Sequence, residues 1–183
     1  PAGYGDYYGF EIDGDKQYLL GDWQVTHNTA MLCNFAIAAL KQKLKVLFVT
    51  LEMSEKQISQ RFDAILSGFS PTELATLPEA SVLLDRKLRE RLHGCRPIIK
   101  GFDRGRLTLD GFHAYLERYC IEMGTPDVVI LDWVGCLKMP ANVEKRHEAL
   151  AELADGIINM SREFNCTILT AHQTNRSAVG NDI

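Results

Sequence analysis

The sequence has no CxxC pair and no cysteine–histidine cluster; its five cysteines, Cys33, Cys95, Cys120, Cys136 and Cys166, are scattered. That spacing excludes a zinc finger and offers no disulfide framework, so a reducing, cytoplasmic setting is expected. No apolar run reaches the ~18–20 residues that a membrane span needs, and the opening residues lack the basic-then-apolar order of a signal peptide, so no membrane is expected among its partners. An excess of basic charge is also missing: 24 acidic residues stand against 20 basic ones, a net charge of −4. A general attraction to phosphate backbones is thereby excluded, and any nucleic-acid binding must be local. There is no internal repeat and no low-complexity tract.

What is present is enough for one globular domain with a substantial core: 183 residues, 46% of them hydrophobic. The first 28 differ from the rest. They open on the Gly- and Tyr-rich PAGYGDYYG; Phe10-Glu11-Ile12 and Tyr18-Leu19-Leu20 then flank Asp13-Gly14-Asp15 as in a hairpin, and Trp23-Gln24-Val25 reads as a further extended piece. From Thr29 the pattern alternates. Apolar residues at helical spacing (Met31, Leu32, Phe35, Ala36, Ala39, Leu40) predict a helix over 29–43, and Val46–Leu51 a buried strand. Ser54 caps a helix to about Leu66, followed by a looser helical stretch to His93. A short strand at Pro97–Lys100, a helix over 108–123, a strong strand at Asp127–Asp132, a long helix over 146–165 and a last strand at Thr167–Ala171 complete the series. Continuous apolar strands separated by helices predict an α/β fold, a parallel sheet covered on both faces.

Three consecutive residues carry one kind of chemistry. An asparagine can close a succinimide on its own carbonyl and cut the chain after itself, a neighbouring histidine can protonate the departing amide, and a downstream hydroxyl can accept the acyl group. His27-Asn28-Thr29 supplies these groups in that order. Alone the tripeptide would read as a polar turn, but YYGFEIDGDKQYLLGDWQVTHN resembles the C-terminal splicing blocks of inteins. Asp15-Lys16-Gln17 stand where many inteins carry a histidine, and the N-terminal splicing blocks are absent.

A second kind of chemistry follows. Thr29 opens an amphipathic helix in the way the residue after a P-loop Gly-Lys does, where a hydroxyl reaches Mg²⁺ and the helix N-terminus holds phosphates. Glu52, just past the strand VLFVTL, stands where open α/β sheets place ligand chemistry, although an acid there would equally suit the start of the next helix. Val128-Val129-Ile130-Leu131-Asp132 has the Walker B form, four apolar residues ending in a carboxylate that holds Mg²⁺ through water. At Thr170-Ala171-His172-Gln173, a neutral side chain past a strand end can sense the γ-phosphate. His93, His113 and His147 read as ordinary histidines.

TLEMSEKQISQR, DWVGCL and AHQTNRSA resemble, over residues 29–183, the motor of DnaB-like replicative helicases of the phage type, with Trp133 and Cys136 as conservative departures. The resemblance implies a RecA-like ATPase preceded by an intein remnant at 1–28 that interrupted the ATP-binding loop. It implies ATP and Mg²⁺ as cofactors, Glu52 as the residue that activates water, Gln173 as sensor, and Thr29 and Asp132 on the metal. As partners it implies single-stranded DNA, copies of itself in a homohexamer, a primase and a helicase loader; which residues bind DNA stays open. No Gly-Lys precedes Thr29, so the missing P-loop strand is expected to leave the core open and this stretch alone inactive. Three other readings stay open: a recombinase-like or circadian-clock-type ATPase of the same fold, an intein as the main activity, and a non-enzymatic adaptor.

Overall fold

The computed structural model describes residues 18–19, 25–26, 28–76, 78–140, 143 and 145–171. Two short strands, β1 (Tyr18–Leu19) and β2 (Val25–Thr26), pair antiparallel with Tyr18 opposite Thr26. The hairpin expected about Asp13-Gly14-Asp15 lies outside the described residues, as do His27 and everything from His172 onward, Gln173 included. The chain continues through α1 (Asn28–Lys41), β3 (Val46–Thr50), α2 (Glu55–Ser67), α3 (Pro71–Thr76), α4 (Pro78–Leu92) and β4 (Ile98–Gly101). After these come α5 (Leu109–Met123), β5 (Val128–Asp132), a 3-10 turn (Val134–Cys136), α6 (Arg146–Glu163) and β6 (Thr167–Thr170). The looser stretch before His93 is two helices, each opened by a proline, which suits the first helical position because no backbone donor is required there.

Strands β3 to β6 form a parallel sheet in the order β4-β3-β5-β6. From β3 the chain steps to one side, to β4, then returns past β3 to β5 and β6. Right-handed crossovers that run in opposite directions must cover opposite faces of a sheet. Helices α1, α2 and α4 accordingly pack with Val46, Phe48, Val128 and Ile130, while α5 and α6 pack with Leu47, Val49, Val129 and Leu131. The alternation within each strand is what makes both runs apolar throughout. Phe48 meets Phe62 of α2 edge-on, ring centres 5.6 Å apart. Every residue of β3 and β5 is buried, whereas β6 has only β5 beside it among the described residues and exposes Thr167 and Thr170.

Candidate active site

Parallel strands bring their C-terminal ends to one edge, where the residues after them can converge. Thr50 of β3 stands opposite both Gly101 of β4 and Asp132 of β5, and the Leu51 N–H donates to the Asp132 carbonyl at 2.8 Å. Glu52 and Asp132 therefore share that edge. The turn that carries Glu52 is pinned from within: the Thr50 hydroxyl donates to the Met53 carbonyl (2.9 Å) and accepts from its N–H (3.2 Å). On its far side Ser54 and Gln57 form a reciprocal capping box that fixes the start of α2.

Thr29, at the start of α1, reaches this edge from outside the strand ends. Its buried hydroxyl donates to Asp132 Oδ2 at 2.9 Å, joining residues 103 positions apart. The other oxygen, Asp132 Oδ1, is buried with no hydrogen-bond partner among the described residues, in a residue only 1% exposed. A buried carboxylate oxygen is costly to leave unmatched. Burial accordingly pushes the Asp132 carboxyl above its ordinary value; the charge of Glu52 adds to the rise, while the Thr29 bond and the charge of Arg61 oppose it. An orphaned, ionisable oxygen beside a threonine hydroxyl at a helix N-terminus is a donor set that suits a hard divalent cation with phosphate. Cys33, one turn on in α1, is fully buried and its thiol is pushed up to about 12, chiefly by that burial, so it is no nucleophile.

The structure thus brings Thr29, Glu52 and Asp132 together, with Asn28 immediately before Thr29 as the first residue of α1. Two cations join them that sequence reasoning did not single out. Arg61 of α2 lies close enough for its charge to act on both Cys33 and Asp132. Arg104, between β4 and α5, places Nη1 3.8 Å from Glu52 Oε1. Among the described residues no group of three His, Cys, Asp or Glu could hold a metal by itself, and no helix is long and apolar enough to cross a membrane. His113 of α5 pairs with Glu163 of α6 at 2.9 Å, a contact between the two helices.

Residues 24–182 match the model of the DnaB-like helicase C terminal domain. The chain is 24% identical over 159 residues to a probable replicative DNA helicase of Trieres chinensis, covering 81% of this chain and 33% of that protein. It is 22% identical over 169 residues to the replicative DNA helicase DnaB of Helicobacter pylori (strain J99), covering 90% of this chain and 34% of that one. It spans about a third of the length of these relatives. Among solved structures, one of an ATPase domain superposes with a TM-score of 0.68 at 15% identity, over 82% of this chain and 54% of the other. A DnaB-like replicative helicase, solved in a study of its interactions with primase, gives 0.67 at 15% identity, over 85% of this chain and 38% of the other. The parallel sheet with helices on both faces is therefore the RecA-like ATPase fold, and the chain belongs to the family of DnaB-like helicase C-terminal domains.

Proposed function

We propose that this chain is part of the ATP-driven motor of a replicative DNA helicase that translocates on single-stranded DNA as a ring hexamer. The observation that carries the reading is the bond between Thr29 and Asp132, on the same sheet edge as Glu52. A P-loop ATPase needs a hydroxyl at a helix start, a carboxylate at the tip of a strand and a base past the end of another. Here the three lie at one edge. Thr29 and Asp132 would hold Mg²⁺, which when bound neutralises charge on the β- and γ-phosphates. The N-terminus of α1 favours phosphate, Glu52 takes the proton of the attacking water, and Arg61 adds positive charge beside the metal pair. Gln173, two residues past Ala171, is the proposed sensor. On this reading the backbone cradle of a GxxxxGK loop is joined ahead of Thr29, and its strand would pair with β6, which among the described residues has only β5 beside it.

The same reading assigns residues 1–28 to the C-terminal end of an intein, with His27 assisting, Asn28 cyclising and Thr29 accepting the acyl group. The β1–β2 pair running into Asn28 supports it. Thr29 then serves two chemistries in turn, each of which requires a hydroxyl. A primase and a helicase loader are the further partners proposed for the whole protein.

The test is made on the protein with its ATP-binding loop joined to Thr29. Glu52→Gln should keep nucleotide affinity and lower turnover ~10²–10⁴-fold, the range for a lost general base. Turnover at the parent rate in this variant would remove Glu52 from the chemistry and the reading with it.

A further inference from the structure

We propose that Arg104 is a positioning residue: it holds the carboxylate of Glu52 in the direction from which that carboxylate must meet the attacking water. The inference rests on Glu52 being the general base. Glu52 lies on a turn, 39% exposed, and Arg104 is its ion-pair partner at 3.8 Å. An exposed pair at that separation contributes little to folding. Its value would lie in orientation, because a glutamate with free rotamers spends most of its time misaligned and small displacements of a catalytic group lower rates steeply.

The loop that carries Arg104 is built to hold a direction. At its start the Phe102 N–H donates to the carbonyl of Thr50 at 3.0 Å, in the strand that leads to Glu52. At its end the Lys138 N–H donates to the Leu107 carbonyl (2.8 Å), and between them the Gly105 N–H donates to the Cys136 carbonyl (2.8 Å). Gly105 sits at φ +69°, a conformation in which other residues are strained, so the loop can turn tightly there. Thr108 then caps α5 by accepting from the Gly111 N–H at 3.0 Å. The Arg104 backbone is thus fastened on one side to the strand of Glu52 and on the other to the turn that follows Asp132.

That turn is itself tied to β6. The Thr170 hydroxyl accepts from the Val134 N–H (3.0 Å) and donates to the Leu131 carbonyl (2.8 Å). A continuous set of hydrogen bonds runs from the last strand, through the segment after Asp132, to the loop of Arg104. Arg104 also helps line an open cavity of about 460 Å³ with Gly135 and Lys138, and its exposed side chain lies outside the core and reaches Glu52. Nothing in the sequence marks Arg104 apart from other exposed arginines; only the folded loop sets it against Glu52.

The experiment measures kcat and KM for ATP in the protein with its ATP-binding loop joined, for Arg104→Ala and Arg104→Lys, each alone and with Glu52→Gln. Arg104→Ala should lower kcat about 10-fold with KM within about twofold, since an orientation effect falls on turnover. Arg104→Lys should recover most of that loss, because the contact is a single long ion pair and not a bidentate fork. In the Glu52→Gln background Arg104→Ala should have no further effect, as two residues acting through one step are not additive. Parent kcat in Arg104→Ala, a rise in KM alone, or losses that simply multiply with Glu52→Gln would each overturn the proposal. If Glu52→Gln is slow while Arg104→Ala is not, only the role of Arg104 falls; if Glu52→Gln turns over normally, no base is left to position and both readings fall.

Discussion

Asp132 shows at the scale of one residue how a site is held at the expense of the fold. Its carboxyl is raised above the ordinary 3.8, first by burial. Between 3.8 and that raised value the folded chain binds more protons than the unfolded one, so stability falls as pH rises through the window. Above that window, without metal, keeping the carboxylate charged in its buried place is a net burden on the folded state. Asp132→Asn removes the charge and keeps an oxygen to accept from Thr29, so it should raise stability at pH 7 by about 1 kcal/mol, the scale seen when strained functional sites are relieved. It should also flatten the pH dependence across the same window and abolish stabilisation by Mg²⁺ with nucleotide. Thermal unfolding at several pH values checks this, and an Asn variant less stable than its parent at pH 7 would show that the carboxylate is satisfied in a way the orphaned Oδ1 does not suggest.

At the scale of elements, the packing of α5 against α6 decides how firmly the long helix before β6 is held. Gly156 sits in the middle of α6, and a Cβ there would come within 2.3 Å of Leu109 Cδ2 and 3.2 Å of its Cγ. Glycine in a helix interior is unfavourable by about 1 kcal/mol relative to alanine, so this position is kept small by the neighbouring helix and not by helix formation. Gly156→Val should destabilise the fold by about 1–3 kcal/mol, the range for overpacking. Gly156→Ala combined with Leu109→Ala should recover part of that, since the clash is removed and helix propensity gained. Denaturant titration reads both. Equal stability of Gly156→Val and the parent would mean that the first turn of α5 moves aside freely.

At the scale of the whole molecule, the chain spans about a third of its relatives' length. The proposed splicing role makes one junction decisive. Supplied with a matching N-terminal intein half in trans, the chain should be cleaved between Asn28 and Thr29, because Asn28 alone there has a side chain that can cyclise. Mass spectrometry of the products gives the site. Cleavage at an unchanged rate in Asn28→Ala would end the assignment of residues 1–28 while leaving the motor reading intact, since the Thr29–Asp132 bond on which that reading rests uses no group from residues 1–28.

The class of fold is legible in two apolar runs. VLFVT and VVILD are apolar at every position because both faces of their strands are covered, and a parallel α/β sheet is the arrangement that does this. The start of α2 followed from a local signal, the Ser54 cap, and the structure closes that helix at Gly68 in a left-handed conformation. Glu52 and Asp132 were visible because a carboxylate after an apolar run interrupts a pattern. The strand order was left to the tertiary structure, since parallel pairing joins segments far apart in the chain and leaves no local trace. The same holds for the Thr29–Asp132 bond, which spans 103 positions. Arg61 and Arg104 escaped for a different reason: a cation with an exposed tip looks the same in sequence whether it faces solvent or a carboxylate, and only the folded loops and helices decide which.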